Sequence, residues 1–211
     1  MKITAIEEQK KNKNRKSVFL DGAFAFGIDA FSLYALKLSE GDEIDEARLA
    51  EIKRTVLFED AKAKAARLLS SRSYTSRDIR KKLLEYTGDE ETADKTLVFL
   101  EEYKLVDDRD YAKRFAHDCL HLKKLGRRSI RMKLLEKGIS AHLADEVLDE
   151  MMAGEIQEDN LLSLLRKKIK NDFDMKNLQK AKRYAAYRGY GFDEIETAIR
   201  HLQAEQEDEV W

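Results

Sequence analysis

Residues 77–85 read RDIRKKLLE and residues 128–136 read RSIRMKLLE, nearly the same nine residues placed 51 positions apart (128 − 77 = 51). Amphipathic helices resemble each other by default, so the match decides the fold only if its register continues. It does continue. At the same offset Ala93-Asp94 meets Ala144-Asp145, Leu97 meets Leu148 and Leu100 meets Met151. A further step of 51 carries Arg131 to Lys182, Gly138 to Gly189, Leu148 to Ile199 and Met151 to Leu202. Helical period alone does not impose one offset across two helices and the turn between them. The pattern predicts three copies of a module of about three helices, stacked so that neighbours share a continuous core. First helices align less well, which points to an insertion there.

Working outward, the first module runs through FEDAKAKAARLLSS, TSRDIRKKLLEYT and EETADKTLVFLEEYKLV, with Ala61, Ala65, Leu68 and Leu69 as the stripe of its first helix. Thr75, three residues before Asp78, has the spacing of an N-terminal capping box. The cycle restarts at DDRDYAKRFAHDCLHLKKL and again at EDNLLSLLRKKIKN. The first forty residues differ. In KSVFLDGAFAFGI two short β-branched and aromatic runs flank Asp21-Gly22, a dipeptide suited to a tight hairpin turn. Lys2–Glu8 adds a third strand, with QKKNKNRK read as a basic loop, and helical periodicity returns from Asp45 with Leu49, Ile52 and Val56 on one face.

The expected class is therefore mainly α, tandem three-helix repeats in an elongated, curved array behind a small β-hairpin-containing extension. The boundaries are 1–56 for the extension, then 57–106, 107–154 and 155–211 for the repeats, the last with an acidic tail. Proline is absent, which suits an almost wholly helical chain. A formal charge of −1 beside a charged fraction of 38% leaves no overall basic field for nucleic acid, so electrostatic function must come from local segregation. The lone Cys119 cannot form an intramolecular disulfide, and no apolar run suggests a secretion signal or membrane span. A monomer acting in the cytoplasm is expected.

Charge does segregate within each module. In the second helices Ile79, Leu83 and Tyr86, then Ile130 and Leu134, then Ala181 and Ala185 face inward, while Arg77, Arg80, Lys81, Arg127, Arg128, Arg131, Lys133, Lys180, Lys182 and Arg183 take the remaining surface. The third helices open acidic, as DEETADK, ADEVLDE and DEIETAIR. A stripe of arginine and lysine suits phosphate, because each contact releases condensed counterions, and the guanidinium fork suits carboxylate equally well. One such helix alone is most simply a solvated face laced with ion pairs. Recurrence in three copies makes these residues binding candidates, with Lys10, Lys11 and Lys13, followed by Arg15 and Lys16, as a second basic patch.

Other constellations carry less. His117 and His121 share a helical face but Cys119 points elsewhere, so no metal is expected and Cys119 reads as a small core residue. The run DDRD at 107–110 opens a helix, where aspartate caps. Gly189 and Gly191 read as a helix end and turn, since no strand precedes them and no Gly-Lys-Ser/Thr follows. No nucleophile elbow or Ser/His/Asp arrangement is present, so no enzyme and no cofactor is expected.

LVDDRDYAKRF (105–115), GRRSIRMKLLEKGI (126–139) and AAYRGYGFDEIETAI (185–199), in this order, resemble the RecX family over roughly residues 57–204. The third repeat departs most, with Ala185-Ala186 where the second has Leu134-Leu135. The resemblance implies tandem three-helix repeats and a partner, the bacterial recombinase RecA, bound notably as its filament on single-stranded DNA. It further implies restraint of strand exchange, ATP hydrolysis and the coprotease activity behind the SOS response, with direct contact to single- or double-stranded DNA in some members and no catalytic residues. Two other readings of the residues stay open: a sequence-independent DNA-binding module, and a helical scaffold for another protein.

Overall fold

Asp21 and Gly22 both take positive φ, +48° and +83°, which closes a two-residue turn between strands β2 (Asn12–Leu20) and β3 (Ala23–Asp29). Strand β1 (Ile3–Gln9) pairs antiparallel with the other side of β2, giving the order β1-β2-β3. The computed structural model in which these elements lie describes residues 1–10, 12–152, 156–170 and 172–208. The expected basic loop is corrected here. Because β2 already begins at Asn12, Lys13, Arg15 and Lys16 stand on a strand. Two of them have partners: Lys16 lies opposite Glu8 across the strand pair and bonds it at 2.7 Å, while Arg15 joins Asp60 of a helix that follows the sheet and donates to the Gly27 carbonyl at 3.1 Å.

One face of the sheet buries Ile3, Val18, Phe26 and Ile28 against Ile52 and Val56. Those two residues belong to α2 (Glu46–Leu69), opened by Asp45, whose carboxylate accepts from Arg48 N at 2.7 Å. The short α1 (Ala30–Ala35) is capped in the same way by Asp29. Helix α2 runs through Val56-Leu57 without interruption, so its first half serves the sheet's core and its second half, through Ala61 and Ala65, serves the first module. No glycine or proline lies between Glu46 and Leu69 to end it.

The chain divides into two compact units, Met1–Tyr74 with Ile79–Val106, and Thr75–Asp78 with Asp107–Trp211. In the first, Ile79 and Leu83 of α3 (Ser76–Thr87) close over Ala61 and Ala65 together with Ala93 and Leu100 of α4 (Glu90–Glu102). Tyr86, expected inward, is exposed instead. It stands in the last turn of α3, where a tyrosine can keep its polar tip in water, and Lys64 Nζ lies 5.6 Å from its ring centre.

The second unit holds α5 (Asp108–His117), a π-helical turn (Asp118–Leu122), α6 (Arg127–Glu136), α7 (Ala141–Met151), α8 (Ile156–Ile169), α9 (Met175–Tyr187) and α10 (Phe192–Asp208). Asp107 caps α5 through Arg109 N and Asp110 N, while Asp108 accepts from Ser76 N at 2.8 Å. Thr75 Oγ accepts from Asp78 N at 3.2 Å, the capping bond expected of it. Ile130 and Leu134 are fully buried with Ala112, Ala116 and Cys119 in one cluster.

The repeat register can now be followed into the first helices. Ala61 and Ala65 match Ala112 and Ala116 at the offset of 51, and all four are buried (112 − 61 = 51). In the third copy the corresponding buried pair is Leu161 and Leu165, at an offset of 49 (161 − 112 = 49). The two-residue difference therefore falls between the first and second helices of that copy. Its Ala185 is buried, and α8 fills the space with Leu161, Leu162, Leu164 and Leu165. Among the described residues no helix is long and apolar enough to cross a membrane.

Candidate functional site

The basic second helices and acidic third helices meet each other first. Arg80 Nε and Nη2 donate to the two Asp94 carboxylate oxygens at 2.5 and 3.0 Å. Arg131 grips Asp145 in the same way at 2.7 and 2.9 Å, and Lys182 Nζ reaches Glu196 at 2.5 Å. The three pairs occupy equivalent positions, 80/94, 131/145 and 182/196, each step being 51. Module by module, a cation at the same position ties helix two to helix three. The side-chain bond to Arg80 holds the Asp94 carboxyl below its usual range, and the bond to Arg131 does the same for Asp145. These were the most regular candidates for an external partner, and the fold gives them an internal one.

The remaining candidates divide. Arg127 pairs with Asp149 at 2.7 Å, Arg77 donates to the Glu136 carbonyl, and Lys81 stands 4.0 Å from Glu85 one turn along α3. Arg128 and Lys133 on α6 are exposed, and no ion pair reaches them from the described residues. Arg183 is exposed, its Nε turned to the Gln179 carbonyl of its own helix at 3.3 Å. Lys10 and Lys13 are exposed at the end of β1 and on β2, and Lys11 lies outside the described residues. His117 and His121 lie 4.2 Å apart between ring centres with their planes tilted by 36°, while Cys119 is buried, its thiol pushed up by burial. Among the described residues no cluster of three or more His, Cys, Asp or Glu is placed to hold a metal.

Arg128, Lys133 and Arg183, second-helix candidates without a carboxylate partner among the described residues, lie on α6 and α9, and these two helices are joined end to end. Gly126 N, at the N-terminus of α6, donates to the Arg188 carbonyl at the C-terminus of α9 at 2.9 Å, and Arg128 N donates to the Gly189 carbonyl at 3.2 Å. One helix's free carbonyls meet the next helix's free N–H groups. Lys124, held at φ +49°, is the knot beside this joint: its carbonyl accepts from Tyr190 Oη at 3.1 Å and Arg188 Nη2 at 3.3 Å, and its Nζ donates to Ser163 at 2.9 Å. Nearby, the buried Asn160 donates to the Leu120 carbonyl at 3.0 Å. Gly126 is required: a Cβ there would stand 2.5 Å from the Gly189 carbonyl carbon.

Residues 1–45 match the regulatory protein RecX N-terminal domain, 107–148 the second RecX three-helix domain and 155–199 the third. A regulatory protein RecX from Clostridium botulinum (strain Alaska E43 / Type E3) is 33% identical over 207 residues, covering 94% of this chain and 95% of the relative. The chain belongs to the RecX family. A second member, from Clostridium beijerinckii, is 32% identical over 213 residues and covers 99% of both chains. A crystal structure of regulatory protein RecX superposes with a TM-score of 0.76 at 29% identity, over 94% of this chain and 98% of that one. The RecX structure from Lactobacillus salivarius shares the fold at a TM-score of 0.66.

The family's motifs were legible as motifs, but two features of the site were not drawn from them. The three internal ion pairs carry a signal that could have been found: opposite charges 14 residues apart recur at the repeat offset. The end-to-end joint carries none, because it rests on residues more than 60 positions apart whose carbonyls and N–H groups every sequence has.

Proposed function

We propose that this RecX-family chain binds the recombinase RecA and its filament on single-stranded DNA, and restrains strand exchange, ATP hydrolysis and coprotease activity. Membership of a family of regulatory proteins, over nearly the whole chain, is the observation that carries this reading. Regulation here is by binding, without catalysis or cofactor, and the chain acts as a monomer in the cytoplasm. Tandem modules allow one chain to touch more than one recombinase subunit, which raises affinity through effective concentration.

The internal pairing refines which side chains serve. Arg80, Arg131 and Lys182, together with Arg127, hold the modules in shape, and Arg128, Lys133 and Arg183 are left to face a partner. The test is ATP hydrolysis by recombinase filaments on single-stranded DNA while this protein is titrated in. A fall at substoichiometric ratios, weakened by Arg128→Glu with Arg183→Glu, is expected. Unchanged hydrolysis at stoichiometric excess refutes filament restraint.

A further inference from the structure

In each module the first and third helices lie side by side, and one position of the first helix decides how the groove between them is closed. That position holds Phe58, then Arg109 (109 − 58 = 51), then Glu158 (158 − 109 = 49). In the first module Phe58 meets Phe99 of α4 edge to face at 6.2 Å between ring centres, with Lys62 Nζ 4.9 and 4.8 Å from the two rings. In the second, Arg109 of α5 crosses to Glu146 of α7 at 3.1 Å and also joins Glu150, which Lys113 holds at 2.8 Å. The third module has neither closure. Glu158 replaces the arginine, and Thr197 stands where Glu146 does (197 − 146 = 51).

Between α8 and α10 there is accordingly a cavity of about 440 Å³. Buried Leu161 and Ala198 form an apolar floor, and Glu158, Asp193 and Glu194 stand around it. Glu194 is occupied, accepting from Gln157 Nε2 and from Gly191 N, each at 2.5 Å. No ion pair reaches Glu158 or Asp193 from the described residues. Arg200, one turn from Thr197, donates to the Thr197 hydroxyl at 3.3 Å. Acids are favoured in the first turn of a helix, where the N-terminus carries about half a positive charge, and this would account for Glu158 or Asp193 singly. Here two helices begin beside one cavity and contribute about one positive charge against three carboxylates. The groove stays negative even with Arg200 counted. In the first module the corresponding groove, about 450 Å³, mixes Lys53, Arg54 and Lys95 with Asp89 and Glu91. Only the third copy surrounds its cavity with carboxylates alone as charged groups.

We infer that the α8–α10 groove receives an arginine from a segment of a partner protein, its stem over Leu161 and Ala198 and its guanidinium at Glu158 and Asp193. The second module shows the chemistry within this chain, where Arg109 supplies the cation from its own helix. A guanidinium fork answers carboxylates with paired hydrogen bonds, and its aliphatic stem covers apolar surface while the charge stays at the rim. The cavity is large enough for a small ligand, so it takes an apolar neighbour in the segment along with the arginine. Phosphate is repelled by the same carboxylates. The inference uses none of the second-helix cations and does not depend on the recombinase reading.

The experiment is fluorescence anisotropy of a labelled peptide of alternating leucine and arginine, titrated with the full chain at low salt, beside a peptide with glutamate in place of arginine. The arginine peptide is expected to bind and the glutamate peptide to stay free. Any acidic surface attracts arginine, so two variants of equal charge are compared. Glu158→Gln with Asp193→Asn weakens binding by at least about tenfold. Glu85→Gln with Glu102→Gln, at exposed acids of the first module, stays within about twofold of wild type. Glu158→Arg with Thr197→Glu copies the second module's pair, closes the groove with the chain's own arginine and abolishes binding. All the altered side chains are exposed, and unchanged circular dichroism verifies that the variants fold. Equal losses in the two neutralised pairs, wild-type affinity in the copied pair, or no binding of the arginine peptide by the unaltered chain overturns the inference.

Discussion

Gly126→Ser separates local from tertiary reasoning, because the two give opposite signs. Gly126 is the N-cap of α6, with φ −76° and no side-chain capping bond. Judged on the helix alone, serine at this position should help by a few tenths of a kcal/mol, since its hydroxyl accepts from a free N–H of the first turn. The backbone angle suits any residue, so no conformational strain opposes the change. The surroundings oppose it. The new Cβ would stand 2.5 Å from both the Gly189 carbonyl carbon and oxygen and 2.6 Å from Tyr190 N, all of them backbone atoms that no rotamer change can move. The α9 end must retreat, which costs about 1–3 kcal/mol as overpacking. Retreat also loosens the Gly126–Arg188 and Arg128–Gly189 bonds, each worth about 0.5–1.5 kcal/mol. The expected destabilisation is about 2–5 kcal/mol, measured by urea unfolding followed by circular dichroism. Gly88→Ser serves as the comparison. There φ is +65° and nothing lies within 4 Å of the added Cβ, so only the left-handed backbone is charged, at about 1–2 kcal/mol. Stability of Gly126→Ser at or above wild type would refute the close approach of the two helices.

Leu134→Ala removes a fully buried side chain from the second module's core and should cost about 2–5 kcal/mol in thermal or chemical unfolding. In a double-mutant cycle, Arg131→Ala and Asp145→Ala should show favourable coupling that shrinks as salt rises, and zero coupling at low salt would mean the pair is ornamental. Because Asp145's folded pKa is depressed by Arg131, the pair's contribution is present above the unfolded carboxylate value and lost as pH falls through the folded one; acid titration of Arg131→Ala should show a shallower loss. Tyr190, whose hydroxyl is buried against the Lys124 carbonyl, is pushed up to about 12 by desolvation, so stability is full below its usual value of 10 and declines as pH rises toward 12. Tyr190→Phe should lose that alkaline decline while giving up about 0.5–1.5 kcal/mol at neutral pH.

The modules were legible because their cores repeat. Ile79, Ile130 and Ala181 recur at one offset, and so do Leu83, Leu134 and Ala185, and all six are buried. The Asp21-Gly22 turn was legible because few dipeptides accept two positive φ angles. Asn12–Lys16 defeat the loop reading for an equally local reason: lysine and asparagine favour a loop, and only pairing with β1 makes a strand of these five residues. Tyr86 shows the limit of a helical wheel, which gives a direction but does not say where the neighbouring core ends.

The site divides along the same line. Periodicity, charge sign and turn residues are properties of adjacent residues, and from them the sequence by itself determined three helical modules, a hairpin, the family and the basic character of the second helices. Which cations are free was decided only by the tertiary structure. Arg131 and Arg128 sit three residues apart on one helix with the same charge, yet Arg131 is bound to Asp145 on α7 while Arg128 is exposed and meets no carboxylate among the described residues. An ion pair or a helix joint depends on a distance of a few ångströms between segments far apart in the chain, and that distance exists only once the cores have packed.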